Sequence, residues 1–517
     1  MSNNPIIWSD YPDPDVIRVD DTYYMISTTM HFMPGGVILR SYDLVHWEIA
    51  AYVYDTLDHT PGQRMEGGLS IYGKGMWAAS LRYHKGMFYV CFVANDTGKA
   101  YLYQSEHITG VWRKQYVEGF YHDCSLLFDE DDRVYIVYGN KEIWLTELRT
   151  DLTGPKPGGL HRMIVKDTGN VGLGYEGAHL YKINGRYYVF FIHWPAEGTR
   201  RRTQACYAAE SLEGTFTGRD VLDDDMGYHN AGVAQGGIVN TPWDEWYAML
   251  FQDHGAVGRI PVLVPIRWEK DFPVFGIDGK VPDFVEVRST RPDYVYEPLV
   301  DHDNFNYLPD ASGTVHLKKV WQWNHTPDNR LWSVTEKPGT LRIRSGKLSP
   351  NVVQAANTLT QRLTGPVSET IVTVDGSHLK DGDYAGICAL QGCYGLIALT
   401  LEEGNFYLSM AARELNPEEN IWGSKEGDRK PGKEWGRAAM SSPVVTLKMR
   451  VNFTDNTDEA EFFYMADDQW IKLGITHKLY FRLDHFVGCR AGLFLYSTKQ
   501  IGGAADFSEF FYNITNL

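Results

Sequence analysis

The sequence predicts an all-β protein, a five-bladed β-propeller followed by a β-sandwich domain. Three observations carry that expectation. A polar turn leading into an aromatic strand recurs five times in the first part of the chain. The recurrence stops after Arg288, and a second strand-rich region without that spacing follows. Amphipathic helical periodicity is nearly absent throughout.

The hairpins come in order as Asp20-Asp21-Thr22-Tyr23-Tyr24, Lys85-Gly86-Met87-Phe88-Tyr89, Asp131-Asp132-Arg133-Val134-Tyr135, Asn184-Gly185-Arg186-Tyr187-Tyr188 and Trp243-Asp244-Glu245-Trp246-Tyr247. Asp, Asn and Gly supply the turn, and aromatic and β-branched residues supply the strand. Most copies are followed by a strand, a small or polar turn and an aromatic, clearest in Ser41-Tyr42-Asp43-Leu44-Val45-His46-Trp47. Units of several strands returning every roughly 45–65 residues are the signature of propeller blades. The alternative is a pair of sandwiches with unrelated aromatic hairpins. The propeller is assigned to residues 1–295 and a linker, rich in Asp, Asn, Pro and Tyr, to 296–315. A sandwich over 316–517 includes strands at Thr340–Arg344, Glu369–Val374, Val444–Arg450 and Gly492–Tyr496. The polar stretch Asn416–Arg437 reads as a long surface loop.

At 517 residues the chain is too long for one small core. Its net charge of -17 argues against nucleic acid or an anionic membrane as partner. No apolar run is long enough to span a bilayer. Met1-Ser2-Asn3-Asn4-Pro5 has neither a basic region nor a long apolar core, which predicts no signal peptide and a cytoplasmic location. The six cysteines form no zinc or disulfide pattern and read as small buried residues.

Three acids stand at a similar short distance before a hairpin. Asp13 lies in Tyr11-Pro12-Asp13-Pro14-Asp15, Asp123 in His122-Asp123-Cys124-Ser125, and Glu176 in Gly174-Tyr175-Glu176-Gly177. Alone, each reads more readily as an exposed turn residue. Equivalent positions of different blades face the propeller axis, so the three would converge on one depression. Separated carboxylates are what glycoside hydrolysis requires, and a third can tune the acid by like-charge repulsion. The prolines around Asp13 stiffen its backbone.

On these residues, with Asn4-Pro5-Ile6-Ile7 and Glu176-Gly177-Ala178-His179-Leu180, the chain resembles glycoside hydrolase family 43, the β-xylosidase and α-L-arabinofuranosidase group. Trp321-Gln322-Trp323-Asn324-His325 and Asp383-Tyr384-Ala385-Gly386 resemble the C-terminal sandwich of its xylosidase-like members. The resemblance implies an inverting mechanism. Asp13 would be the general base, Glu176 the general acid, and Asp123 the group that orients Glu176 and raises its pKa. Inversion implies a base-to-acid separation of roughly 6.5–9.5 Å. One base suffices in that geometry, which leaves Asp15 without a direct role.

Further site residues follow from the same resemblance. Met30 and Phe32 would surround the terminal sugar, Trp77 would stack on it, and Arg259 would bind its hydroxyls. Phe486 would reach the pocket from a sandwich loop. His254 resembles a histidine that some relatives place at a central cation, so it is the candidate ligand for a structural calcium; no cofactor is otherwise required. Three departures stand out: Ala79-Ser80 where relatives carry Pro-Asp, Cys124 where many carry Pro, and Gln235 where many carry His. Gln235 can still hydrogen-bond a sugar hydroxyl.

The expected activity is exo-acting removal of terminal α-L-arabinofuranosyl or β-D-xylosyl units from arabinoxylan-derived or arabino/xylo-oligosaccharides. The rival readings are a sugar-binding propeller without catalysis and an endo-arabinanase with an open groove.

Overall fold

The structure, a computed structural model, describes residues 3–167, 172–414, 416, 418 and 427–515. Five four-stranded antiparallel sheets follow one another in the first half. Blade 1 is built from Asp15–Val19, Thr22–Ser27, Gly35–Ser41 and Glu48–Tyr54. The innermost strands of blades 2 to 5 are Ser80–His84, Ser125–Phe128, Glu176–Ile183 and Ile238–Asn240. The predicted hairpins are the first turns of blades 1 to 5.

Period-2 burial drives the stacking. Each blade presents aliphatic and aromatic side chains on both faces, so each interface between blades becomes a core. Ile26, Ile38, Phe92 and Tyr101 fill the seam of blades 1 and 2. Cys91, Leu102, Leu126 and Ile136 fill the next, Val137, Leu145, Val189 and Phe191 the third, and Phe190, Leu250 and Val262 the fourth. Burying one such side chain is worth about 1.5–3 kcal/mol. Blade 5 meets blade 1 through Val16, Met25, Met249 and Leu263, in a core that continues into the second domain. The N-terminus secures this closure: Asn4 Nδ2 donates to Leu263 O at 2.8 Å, and Asn3 Nδ2 to Val285 O at 2.7 Å.

The second domain is two packed antiparallel sheets, as expected for a sandwich. Its strands include Leu341–Arg344, Val367–Asp375, Val444–Asn452 and Arg490–Ser497. Residues 296–315 carry no strand; Asp303 and Phe510 exchange backbone hydrogen bonds at 2.8 and 2.9 Å. The loop expected over Asn416–Arg437 ends early, because Lys433–Met440 is a strand paired with Asn405–Ala412. Its polar composition misled because the strand is at a sheet edge, where outward positions such as Glu434 and Arg437 meet water. Positions 417 and 419–426 of that stretch lie outside the described residues.

One junction matters for the site. Phe32–Met33, an insertion in blade 1, pairs with Gln322–Asn324 and becomes the edge of the first sandwich sheet. A sandwich sheet therefore begins inside the propeller. All six cysteines are buried and free.

Candidate active site

Asp13 and Asp123 occupy equivalent places, each two residues before the innermost strand of its blade. Both have left-handed backbones, φ 53° and 47°. That conformation costs a non-glycine residue about 1–2 kcal/mol, and strain of this kind collects at functional sites. Hydrogen bonds on both sides hold Asp13 in it. Ser27 Oγ donates to Pro12 O at 2.7 Å, and Gly237 N–H to Pro14 O at 2.9 Å. Glu176 opens the innermost strand of blade 4, and there the left-handed residue is the next one, Gly177 (φ 65°). A Cβ on Gly177 would lie 2.6 Å from the Gln235 side chain, so glycine is required twice over.

The three acids lie within electrostatic reach of one another and of two cations. Arg259 Nη1 donates to Asp13 Oδ1 at 2.8 Å. His122 Nε2 lies 3.7 Å from Asp123 Oδ2 and 3.6 Å from Glu176 Oε2. Asn140 Nδ2 donates to Glu176 Oε2. Burial pushes the Asp123 carboxyl up to about 7; the nearby Glu176 and Asp13 add to the rise, and His122 opposes it. The reciprocal attraction, from Asp123 first, raises His122 to about 9. Asp123 and His122 thus retain protons near neutral pH.

An aromatic wall joins the two cations. The Arg259 guanidinium lies 4.2 Å from the centre of the Phe486 ring. Phe486 is 5.7 Å from Trp77, and Trp77 is 5.6 Å from His122. Met30, Phe32 and Val487 pack behind Trp77 and Phe486. Phe32 is only 1% exposed and carries Arg490 over its ring at 3.9 Å, so it backs the wall. The buried Arg259 Nε and Nη2 and Trp77 Nε1 have no hydrogen-bond partner among the described residues. Acids beside donors with unused hydrogen-bonding capacity suit a polyhydroxylated substrate.

A family model for glycosyl hydrolases family 43 matches residues 2–273, and one for the β-xylosidase C-terminal concanavalin A-like domain matches 313–513. This chain belongs to glycosyl hydrolase family 43. A β-xylosidase of Formosa agariphila is 27% identical over 99% of this chain and 90% of its own. A non-reducing-end α-L-arabinofuranosidase of Bacteroides ovatus is 26% identical over 66% and 64%. Among solved structures, a bifunctional GH43-CE protein of Bacteroides eggerthii superposes with a TM-score of 0.89 at 38% identity, covering 99% of this chain and 64% of that one. The protein is a glycoside hydrolase.

Within this family 43 enzyme the structure brings Met30, Phe32, Trp77, Arg259 and Phe486 to one wall beside the three acids. Gln235 lies against Gly177; its backbone N–H is held by Gln204 Oε1 at 2.7 Å. His254 lies elsewhere. Its Nε2 is 2.6 Å from Gln252 Oε1, Tyr228 stacks on it at 3.9 Å, and Trp8 meets it edge-on at 5.3 Å. Two aromatic faces are no shell for calcium, which takes oxygen ligands, so the residues present do not fit that ion. Among the described residues, the one group of three or more His, Cys, Asp or Glu side chains with ligand atoms within 4.8 Å of one another is His122, Asp123 and Glu176.

Asp15 is fully buried. Leu81 N–H at 2.7 Å, Arg82 Nη1 at 2.6 Å and His179 Nδ1 at 3.1 Å surround its carboxylate. Arg82 also reaches Ser125 Oγ at 2.7 Å, so this cluster ties blades 1 to 4 together at the axis. Three contributors escaped the sequence reading: His122, Asn140 and Asp10. Asp10 accepts from Arg259 N–H and from Gly488 N–H, both at 2.8 Å, and so fixes the arginine relative to the Phe486 loop. His122 adjoins Asp123 in sequence, which was a usable signal. Asp10 and Asn140 had none.

Proposed function

We propose that the enzyme removes terminal α-L-arabinofuranosyl or β-D-xylosyl units from arabinoxylan-derived oligosaccharides by single displacement with inversion. Asp13 is the general base that takes a proton from water, and Glu176 is the general acid that protonates the leaving glycosidic oxygen. Asp123, beside Glu176, orients it and sets its proton affinity. The observation that carries this reading is the convergence of three blade-entry acids whose surroundings differ: Asp13 against Arg259, Asp123 buried and pushed up, Glu176 flanked by His122 and Asn140. Such divergence marks distinct acid and base roles. The names of the relatives support both sugars. The wall built by Phe486 and Val487 from the second domain supports an enclosed, exo-acting pocket over an open groove.

The test is proton NMR of the first-formed anomer from a defined arabinoxylo-oligosaccharide. Inversion at a terminal arabinosyl or xylosyl carbon is expected. Net retention, or release of internal fragments first, would overturn the proposal.

A further inference from the structure

In a two-layer sandwich each sheet buries one face against the other, and its outer face normally meets water. Here the outer face of the sheet containing Asp383–Leu390, Gly395–Glu402, Asn405–Ala412 and Arg490–Ser497 is itself apolar and aromatic. Tyr72, Val352, Val353 and Ala355 cover one part of it, packing with Cys388, Leu390, Leu396 and Phe494. The remaining part is an open cleft of about 540 Å³.

The lining of that cleft is chemically specific. Tyr384 and Tyr496 are direct cross-strand partners with rings 5.1 Å apart and 8° from parallel. Phe494 extends the stack from Tyr496 at 5.8 Å. Beside them Ser409 Oγ donates to Glu434 Oε2 at 2.6 Å, and Thr498 adds a hydroxyl. Tyr394 also lines the cleft with a buried ring. Its hydroxyl lies under Gly432, where a Cβ would come within 2.6 Å of it. The adjacent cation, Arg437, is already engaged by Glu402 at 2.5 Å and Glu434 at 3.2 Å. Carboxylates with a committed cation disfavour an anionic ligand. Aromatic carbon beside hydroxyl and carboxylate groups suits a ligand with apolar C–H faces and many hydroxyls.

We propose that this cleft is a second carbohydrate site, which binds an internal stretch of a neutral oligosaccharide chain. Naming that chain as arabinoxylan rests on the proposed function; the neutral, polyhydroxylated character of the ligand does not. The cleft lies on the same sheet whose far edge, Phe32–Met33, backs the catalytic wall. A polymer held there would raise the effective concentration of its ends at the pocket.

The experiment is native gel electrophoresis through soluble neutral arabinoxylan, with an Asp13→Asn background to prevent hydrolysis. Retardation is expected, and weaker retardation in glucuronate-bearing xylan. Tyr384→Ala should weaken the apparent affinity about tenfold, the scale of one lost aromatic contact. Glu434→Gln, which preserves shape, should weaken it several-fold. In the otherwise wild-type enzyme both changes should leave kcat/KM on a short aryl glycoside within about twofold and lower it on the polymer, as expected for a tethering site. Absence of retardation, or equal retardation of both variants and their parent, would overturn the proposal. Failure of the proposed function shows differently, as absence of turnover on every arabinosyl and xylosyl aryl glycoside whatever the gel result.

Discussion

Asp13 and Asp15 stand two residues apart on one stiff segment, yet they occupy opposite kinds of environment. Asp15 is saturated: an arginine, a histidine and a backbone amide bind its two oxygens, and nothing is left to react. Burial pushes its carboxyl up, but Arg82 and His179 outweigh that, and it titrates below the ordinary carboxylate value. Asp13 has a single strong partner, Arg259, on one oxygen. That arginine and Trp77, across the Phe486 ring from it, carry buried donors without partners among the described residues. Asp15 holds the axis together, whereas Asp13 is held by the axis and left available. Chemistry here is located where hydrogen-bonding capacity is unspent.

The largest effect that would break this contrast is on turnover. Asp13→Asn and Glu176→Gln should each lower kcat by about 10³-fold or more, near the upper range for losing a general base or acid. Glu176→Gln should leave the thermal midpoint close to wild type, whereas Asp13→Asn should lower it, because it leaves the buried Arg259 without its counter-charge. Normal rates in either variant on both aryl glycosides would remove that residue from the mechanism.

Asp15→Asn should reverse the pattern. It leaves Arg82, 11% exposed, without its counter-charge, and breaking a buried pair costs about 3–5 kcal/mol. The stabilisation from Asp15 is present above the ordinary carboxylate pKa and is lost as pH falls through its depressed folded value. A urea midpoint near wild type at pH 7 would show that the saturated cluster is not structural. The same contrast marks what the sequence could reveal. The five hairpins, the three acids and Phe486 announce themselves through repetition or resemblance to the family pattern. Asp15 carries no mark separating it from Asp13, since its partners come from Leu81, Arg82 and His179, far along the chain. The two-residue strand Phe32–Met33 is too short for any periodicity. Arg362 and Arg490 are buried together against Gln322 Oε1 at 3.0 Å each, a pairing of residues far apart in the chain that no local pattern marks. The strand Lys433–Met440 was hidden by its edge position.

Phe486→Ala sharpens the contrast from the second domain. The ring lies over Arg259 and next to Trp77. Removing it should lower kcat/KM about tenfold through loss of the cation–π contact and entry of water. An unchanged value would show that the sandwich does not complete the pocket.

The smallest effect concerns His122. Its imidazole stands between Asp123 and Glu176, and attraction from Asp123 first, then from Glu176, outweighs burial to keep it charged through neutral pH. A cation there lowers the Asp123 carboxyl, which burial otherwise pushes up. His122→Phe keeps an aromatic ring against Trp77 and removes the charge. The alkaline limb of kcat/KM should then move up by about one pH unit, with little change at the optimum. Stability gives a second readout of the same residue. His122 is raised in the folded state, so its contribution is complete below the ordinary histidine pKa and is lost as pH rises through about 9. The wild-type thermal midpoint should fall between pH 6.5 and 9 more steeply than that of the variant. If the alkaline limb stays in place, the imidazolium does not act on the acid, and unspent hydrogen-bonding capacity alone would account for the reactivity of the site.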